Sequence, residues 1–271
     1  MVSRRHYVGP PWPPYLGAYD YALGLCRTDF AWEFLRRSPA YQRDYQLNRK
    51  GIAHCQRRFD GLPCVTRVRR LARDSCTWGL FAFVNPRLPA PYAPVCWSTS
   101  PAAAVLEAIA YRPGKGASSN LCLRKLTSAG HLLLGPGTEQ RVTLRDTDAA
   151  LALRLYGSRA TLAPINTTFL LHGLPDPSFV SATLRNLTRL LLHPNHEAHR
   201  SRDPLLMQAA IVALDAQCFD ATYRDMATIL YGAEDARVAW SGLSRAMKDR
   251  MRRALSKGKY LRDGGYRKLL E

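Results

Sequence analysis

Apolar positions recur at two different periods along the chain, and the change of period divides it into three stretches. Phe30, Ala31, Phe34 and Leu35 follow the cap-forming Thr28-Asp29 at a spacing that puts them on one side of a short amphipathic helix. Ser38-Pro39 opens a second helix, serine as cap and proline in the first turn, carrying Tyr41 and Tyr45 towards Arg58. Ahead of both, Pro10, Pro11, Pro13 and Pro14 exclude a helix. From Trp78 the runs become short and continuous or alternating: 78–84, His131 to Leu134, Gln140 to Leu144 and Ala150 to Tyr156. Turn formers such as Gly114-Lys115-Gly116 and Gly135-Pro136-Gly137 separate them, which predicts a small antiparallel sheet. Beyond Leu174-Pro175-Asp176-Pro177 helical spacing returns at Phe179, Leu184, Leu187, Leu190 and Leu191 and persists to the end. The expectation is an α+β chain: a helical segment over 1–77, an antiparallel β section over 78–173, either continuous with the first or separate, and an all-α domain over 174–271.

The last stretch carries the most specific pattern. Asp203-Pro204 starts a helix whose Leu206, Ala209, Ala210, Ala213 and Leu214 form one apolar stripe, expected to be buried. Thr222 and Asp225 give a start signal, Met226, Ile229 and Leu230 a second stripe, and Gly232 a stop. Ala233 to Ser241 reads as a connection anchored by Val238 and Trp240, longer than the turn of an ordinary helix-turn-helix. Ser241 is then expected to cap a helix from Leu243 to Lys257, with Leu243, Met247, Met251, Ala254 and Leu255 facing inward. Outside, Arg245, Lys248 and Arg252 stand at i, i+3 and i+7, and Arg250, Arg253 and Lys257 form a neighbouring ridge with the same spacing. In the tail, Gly264-Gly265 permits a reversal after which Leu269 and Leu270 dock back, either as a small wing over a DNA backbone or as a closing turn packed through Tyr266.

Charge points to the partner. The chain has 39 Lys plus Arg against 21 Asp plus Glu, a formal net charge of +18, and arginine's planar fork suits phosphates and guanine edges. Eleven of those basic residues, against three acids, lie between Arg237 and Glu271. Like charges so close repel unless an anion compensates. A short helix, a turn and a basic helix resting on a core helix is the arrangement that sends one helix into a major groove. Ser244, Arg245 and Lys248 are placed for base edges, and Arg252, Arg253 and Lys257 for phosphates. Arg250, Lys259, Arg262 and Arg267 complete the expected DNA-binding set.

Other chemistries find little support. The seven cysteines are scattered singly without a CxxC pair, which reads as reduced, mostly buried thiols of a cytoplasmic protein. No run of apolar residues is long enough for a membrane span, and the start lacks the pattern of an export leader. Among His193, His196 and His199 the spacing is interrupted by Pro194, and Asp146 and Asp148 read as turn residues. No GxxxxGK[ST], GxGxxG or GxSxG element occurs, so no catalytic residue, cofactor or metal is expected. Trp32, Trp78, Trp97 and Trp240 sit in apolar patterns and read as core anchors. The alternatives are a single-stranded nucleic-acid binder using the sheet and its aromatics, or a protein-binding antiactivator that never touches DNA.

Thr222-Tyr223-Arg224-Asp225-Met226-Ala227, Trp240, Arg250-Met251-Arg252-Arg253-Ala254 and Gly264-Gly265-Tyr266-Arg267-Lys268-Leu269-Leu270 together resemble the extended-turn helix-turn-helix domain of regulators of proteobacterial integrative and conjugative elements. Asp29 to Tyr45 resembles the amino-terminal domain that accompanies it in the longer members, the FseA-like activators. Cys218-Phe219 departs from the glycine-containing turn usual in that family, and the middle section is not covered. The resemblance implies a transcriptional activator of excision and transfer genes. Its carboxy-terminal domain would bind double-stranded promoter DNA and act on RNA polymerase, while its amino-terminal domain packs against that domain and receives an antiactivator.

Overall fold

In a computed structural model the described residues are 4–49, 64–68, 73–98, 105–114, 121–122, 131–135, 138–145, 150–160, 164–170, scattered positions from 177 to 188, 203–241 and 246–270. They belong to two compact units: one of Met1–Gln46, Asn85–Ala93 and His199–Leu270, the other of Leu47–Val84 and Pro94–Ala198. The class is α+β, with helices at both ends of the chain and a six-stranded sheet between them.

In the first unit, helix α1 (Arg27–Leu35) is buried at every position from Thr28 to Leu35, so it is a core helix on all sides instead of the amphipathic one that the spacing predicts. Helix α2 (Pro39–Asn48) follows and turns Tyr41 edge-on to Trp32 with ring centroids 5.6 Å apart. The Trp32 indole N–H donates to the Leu88 carbonyl at 2.9 Å. Charged groups are buried beside it: Glu33 accepts from Arg36 at 2.8 Å and from Arg37, whose fork also donates to both carboxylate oxygens of Asp215 at 2.9 and 2.8 Å. Asp215 lies on α3 (Pro204–Gln217), opened by the Asp203 side chain accepting from the Leu206 amide. Residues 208–216 of that helix are all buried, beyond the single stripe of the sequence pattern.

Helix α4 (Tyr223–Tyr231) begins with a complete capping box between Thr222 and Asp225. It ends at Gly232, whose φ of +89° is a conformation that side chains resist. The next nine residues are a helix, α5 (Ala233–Ser241), where the sequence predicts an irregular connection. Glu234 and Asp235 in its first turn and the buried Ala236, which belongs to the same apolar cluster as Trp240, explain why it folds. Ser241, expected as a cap, is the last residue of α5. Helix α6 (Ala246–Arg262) is described from Ala246 and runs five residues beyond the expected end at Lys257.

In the second unit β1 (Cys64–Arg67), β2 (Val105–Tyr111), β3 (His131–Leu134), β4 (Gln140–Arg145), β5 (Ala150–Gly157) and β6 (Asn166–Leu170) form one sheet in the order β1-β3-β4-β5-β2-β6. The pairs β3–β4, β4–β5 and β2–β6 are antiparallel as expected, but β1–β3 and β2–β5 are parallel, so the sheet is mixed. Residues 78–84 are no strand: Leu80 makes only an isolated bridge to Trp97. One face buries Leu106, Ala108, Leu132, Val142, Leu144, Leu153 and Leu155, with Leu187 in the same cluster. On the other face Arg154 joins Glu107 and Glu139 at 2.9 Å each, and Arg141 lies over the Phe81 ring at 3.7 Å. His193, His196, His199, Asp146 and Asp148 lie outside the described residues.

Candidate nucleic-acid interface

Helix α6 is anchored by Met251, Ala254, Gly258 and Leu261, all buried, which recur every three or four residues along one side. Its closest approach is to α3. A Cβ on Gly258 would stand 2.7 Å from the Ala210 carbonyl oxygen and 2.9 Å from the Leu214 side chain, so only glycine lets the two helices meet here. At its end Gly264 turns the chain into a single 3-10 turn, Gly265–Leu269. Tyr266 is fully buried and Leu269 and Leu270 are buried with it, which makes the tail a closing turn. Arg27 reaches across from α1 to donate to the Lys268 carbonyl at 2.8 Å.

The sides left over are cationic. Lys248, Arg250, Arg252 and Arg253 are exposed, Lys257, Lys259 and Arg262 half-buried, and Arg267 exposed on the closing turn. Ser244 and Arg245 fall in 242–245, outside the described residues, so Lys248 is the one expected base-reading residue that the structure places. Arg252 pairs with Asp249 at 3.2 Å, and both are about half exposed or more, so water weakens the pair. Arg262 forks onto Asp263 at 2.7 and 2.8 Å. Lys248, Arg253 and Lys259 have no acidic partner among the described residues.

The two rows face different surroundings. Lys248, Arg252 and Lys259 lie along one flank of the anchored side. Arg250, Arg253 and Lys257 line a cleft of about 420 Å³ whose opposite wall is the start of α3. Leu205, Leu206 and Ala209 supply that wall, and Tyr231 and the exposed Asp203 also line the cleft. The Arg250 guanidinium sits 5.8 Å from the Tyr231 ring centroid. The cleft escapes sequence reasoning because Tyr231 and Leu205 come from elements that local spacing does not relate to α6.

Residues 179–271 match the RovC DNA-binding family model, described as "T6SS, Transcription factor, DNA binding domain". Residues 16–81 match a second model, described as a proteobacterial transcriptional regulator-like domain. No curated protein matches the chain. Among the described residues no helix is long and apolar enough to cross a membrane. Both families are of regulators and neither is of enzymes. The chain is thus similar at one end to a transcriptional regulator and at the other to the DNA-binding domain of a transcription factor, and its function at that level is DNA-binding regulation of transcription.

Proposed function

We propose that the chain is a sequence-specific activator that seats the outer side of α6 in the major groove of promoter DNA. The observation that carries this reading is that one helix, fixed from beneath by Met251, Ala254, Gly258 and Leu261, presents the exposed cations Lys248, Arg250, Arg252 and Arg253 and, beyond them, the half-buried Lys257, Lys259 and Arg262. Seventeen residues make a cylinder of roughly 25 Å, long enough to cross a groove and reach phosphates on both sides. Lys248 in its first turn reads base edges, together with Ser244 and Arg245, which precede the helix in sequence. Arg252, Arg253 and Lys257 meet phosphates, and Lys259, Arg262 and Arg267 extend the positive field along the backbone.

Charge reversal of Arg245 and Lys248 together is expected to abolish specific promoter binding in mobility shifts while circular dichroism stays unchanged. Intact binding by the folded variant overturns the assignment of α6 as the reader. Arg253→Ala or Lys257→Ala should instead weaken binding to all sequences alike and reduce the salt slope by about one unit of log affinity per log salt.

The targets that the resemblance suggests are excision and transfer genes of a mobile element, with RNA polymerase recruited there and an antiactivator docking on the amino-terminal segment. Genome-wide footprinting of the tagged protein tests this. Occupancy confined to secretion-system promoters would move the target set to that of the matched DNA-binding family.

A further inference from the structure

We propose that the cleft between α6 and the start of α3 is an effector site for an amphipathic anion, a carboxylate or phosphate monoester carried on an aromatic or short aliphatic body. Its volume of about 420 Å³ falls within the range of small-ligand pockets and is far too small to admit a duplex. One wall is the row Arg250, Arg253 and Lys257, three cations with no acidic partner within ion-pair distance among the described residues. The exposed Asp203 does not balance them: it is a single carboxylate, and it already accepts the Leu206 amide at 3.0 Å. Three uncompensated cations on one wall call for an anion.

The facing wall decides what sort of anion. Leu205 is 60% exposed at the mouth, and Leu206, Ala209 and Tyr231 continue the apolar surface inward. A phosphodiester backbone or a bare inorganic ion gains nothing from leucine, whereas an apolar body loses water on meeting it. Charge on one side and hydrocarbon on the other fit a molecule with one charged end.

Regulation follows from sharing. Arg253 and Lys257 are also phosphate contacts in the reading of the preceding section, on which this step rests. An anion seated in the cleft neutralises them and lowers affinity for DNA.

The probe is 1-naphthyl phosphate, titrated calorimetrically into the full chain, with inorganic phosphate as the headgroup control. Saturable one-site binding is expected, at least about tenfold tighter than for inorganic phosphate and weakened about tenfold by Arg253→Glu with Lys257→Glu. Leu205→Asp, at an exposed position, should weaken the naphthyl probe and leave both folding and DNA binding intact. Saturating probe should raise the dissociation constant for DNA by about threefold or more in the parent and not in L205D. Equal affinity for inorganic phosphate, or probe binding that neither variant changes, overturns the effector site. Lys248→Glu, outside the cleft, should lose DNA and keep the probe, and loss of the probe as well would overturn the placement of the site in the cleft. If no duplex binds while the probe does so with the stated sensitivities, the DNA reading fails and the effector site stands.

Discussion

The Glu33 carboxylate is fully buried and accepts from two guanidiniums and, at 2.7 Å, from the Ala90 amide. Burial pushes its pKa up, but Arg36, Arg37 and the amide together outweigh burial and hold it at about 2. The folded value lies below the ordinary 4.5, so the stabilisation is fully present above about pH 4.5 and is lost as pH falls towards 2. Thermal melts over that window should fall more steeply for the parent than for Glu33→Gln, and parallel curves would remove Glu33 from the account. Trp32, at 0% exposure with its N–H bonded, should cost about 3–5 kcal/mol on replacement by Ala, read from denaturant unfolding. This residue is legible in the sequence because a large apolar side chain in a helical pattern has few places to go. Arg36 and Arg37 are not legible: two arginines closing a helix read as solvated, and the Asp215 that neutralises Arg37 stands 178 residues away.

Between elements, the pair Arg37–Asp215 fastens the turn after α1 to α3, and both side chains are almost completely buried. Arg37→Met alone should destabilise the first unit by about 3–5 kcal/mol, because it strands a buried carboxylate. Adding Asp215→Leu should recover much of that loss, and a double variant no better than the single would show that the pair does not act as a unit. Gly258→Ala tests the other fastening. Its methyl meets the Ala210 carbonyl, which is backbone and cannot swing aside, so α6 must move off α3 and both the melting temperature and DNA affinity should fall. The helices α3 and α4 were legible because their caps are local: Asp203 and Thr222 each bond an amide within three residues. Helix α5 was missed since Gly232 reads as a stop without showing that a new helix starts at once. In the sheet, β3, β4 and β5 announce themselves by their apolar runs, but nothing local in β1 or β2 says that each pairs in parallel with a distant strand.

At the scale of the molecule, the first unit is assembled from the two ends of the chain and a short piece, Asn85–Ala93, between them. The family resemblance implies that the ends pack together, and composition shows that the whole is cationic. Neither says which residues close the unit. A chain shortened by its first 46 residues loses α1, the buried Arg37 that pairs with Asp215, and the exposed Arg27 that donates to the closing turn. It should lose the melting transition of the first unit, keep that of the second and bind DNA only weakly, and a first-unit transition at the parent's temperature would contradict this. Arg37 is also synthesised long before Asp215: at roughly 5–20 residues per second the ribosome needs on the order of 10–35 seconds to cover the interval. For that time the guanidinium has only Glu33 for company, and the apolar faces of the opening helices await a lid that does not yet exist. Slow or paused translation therefore prolongs the period in which chaperones, proteases and other nascent chains compete for this protein's beginning.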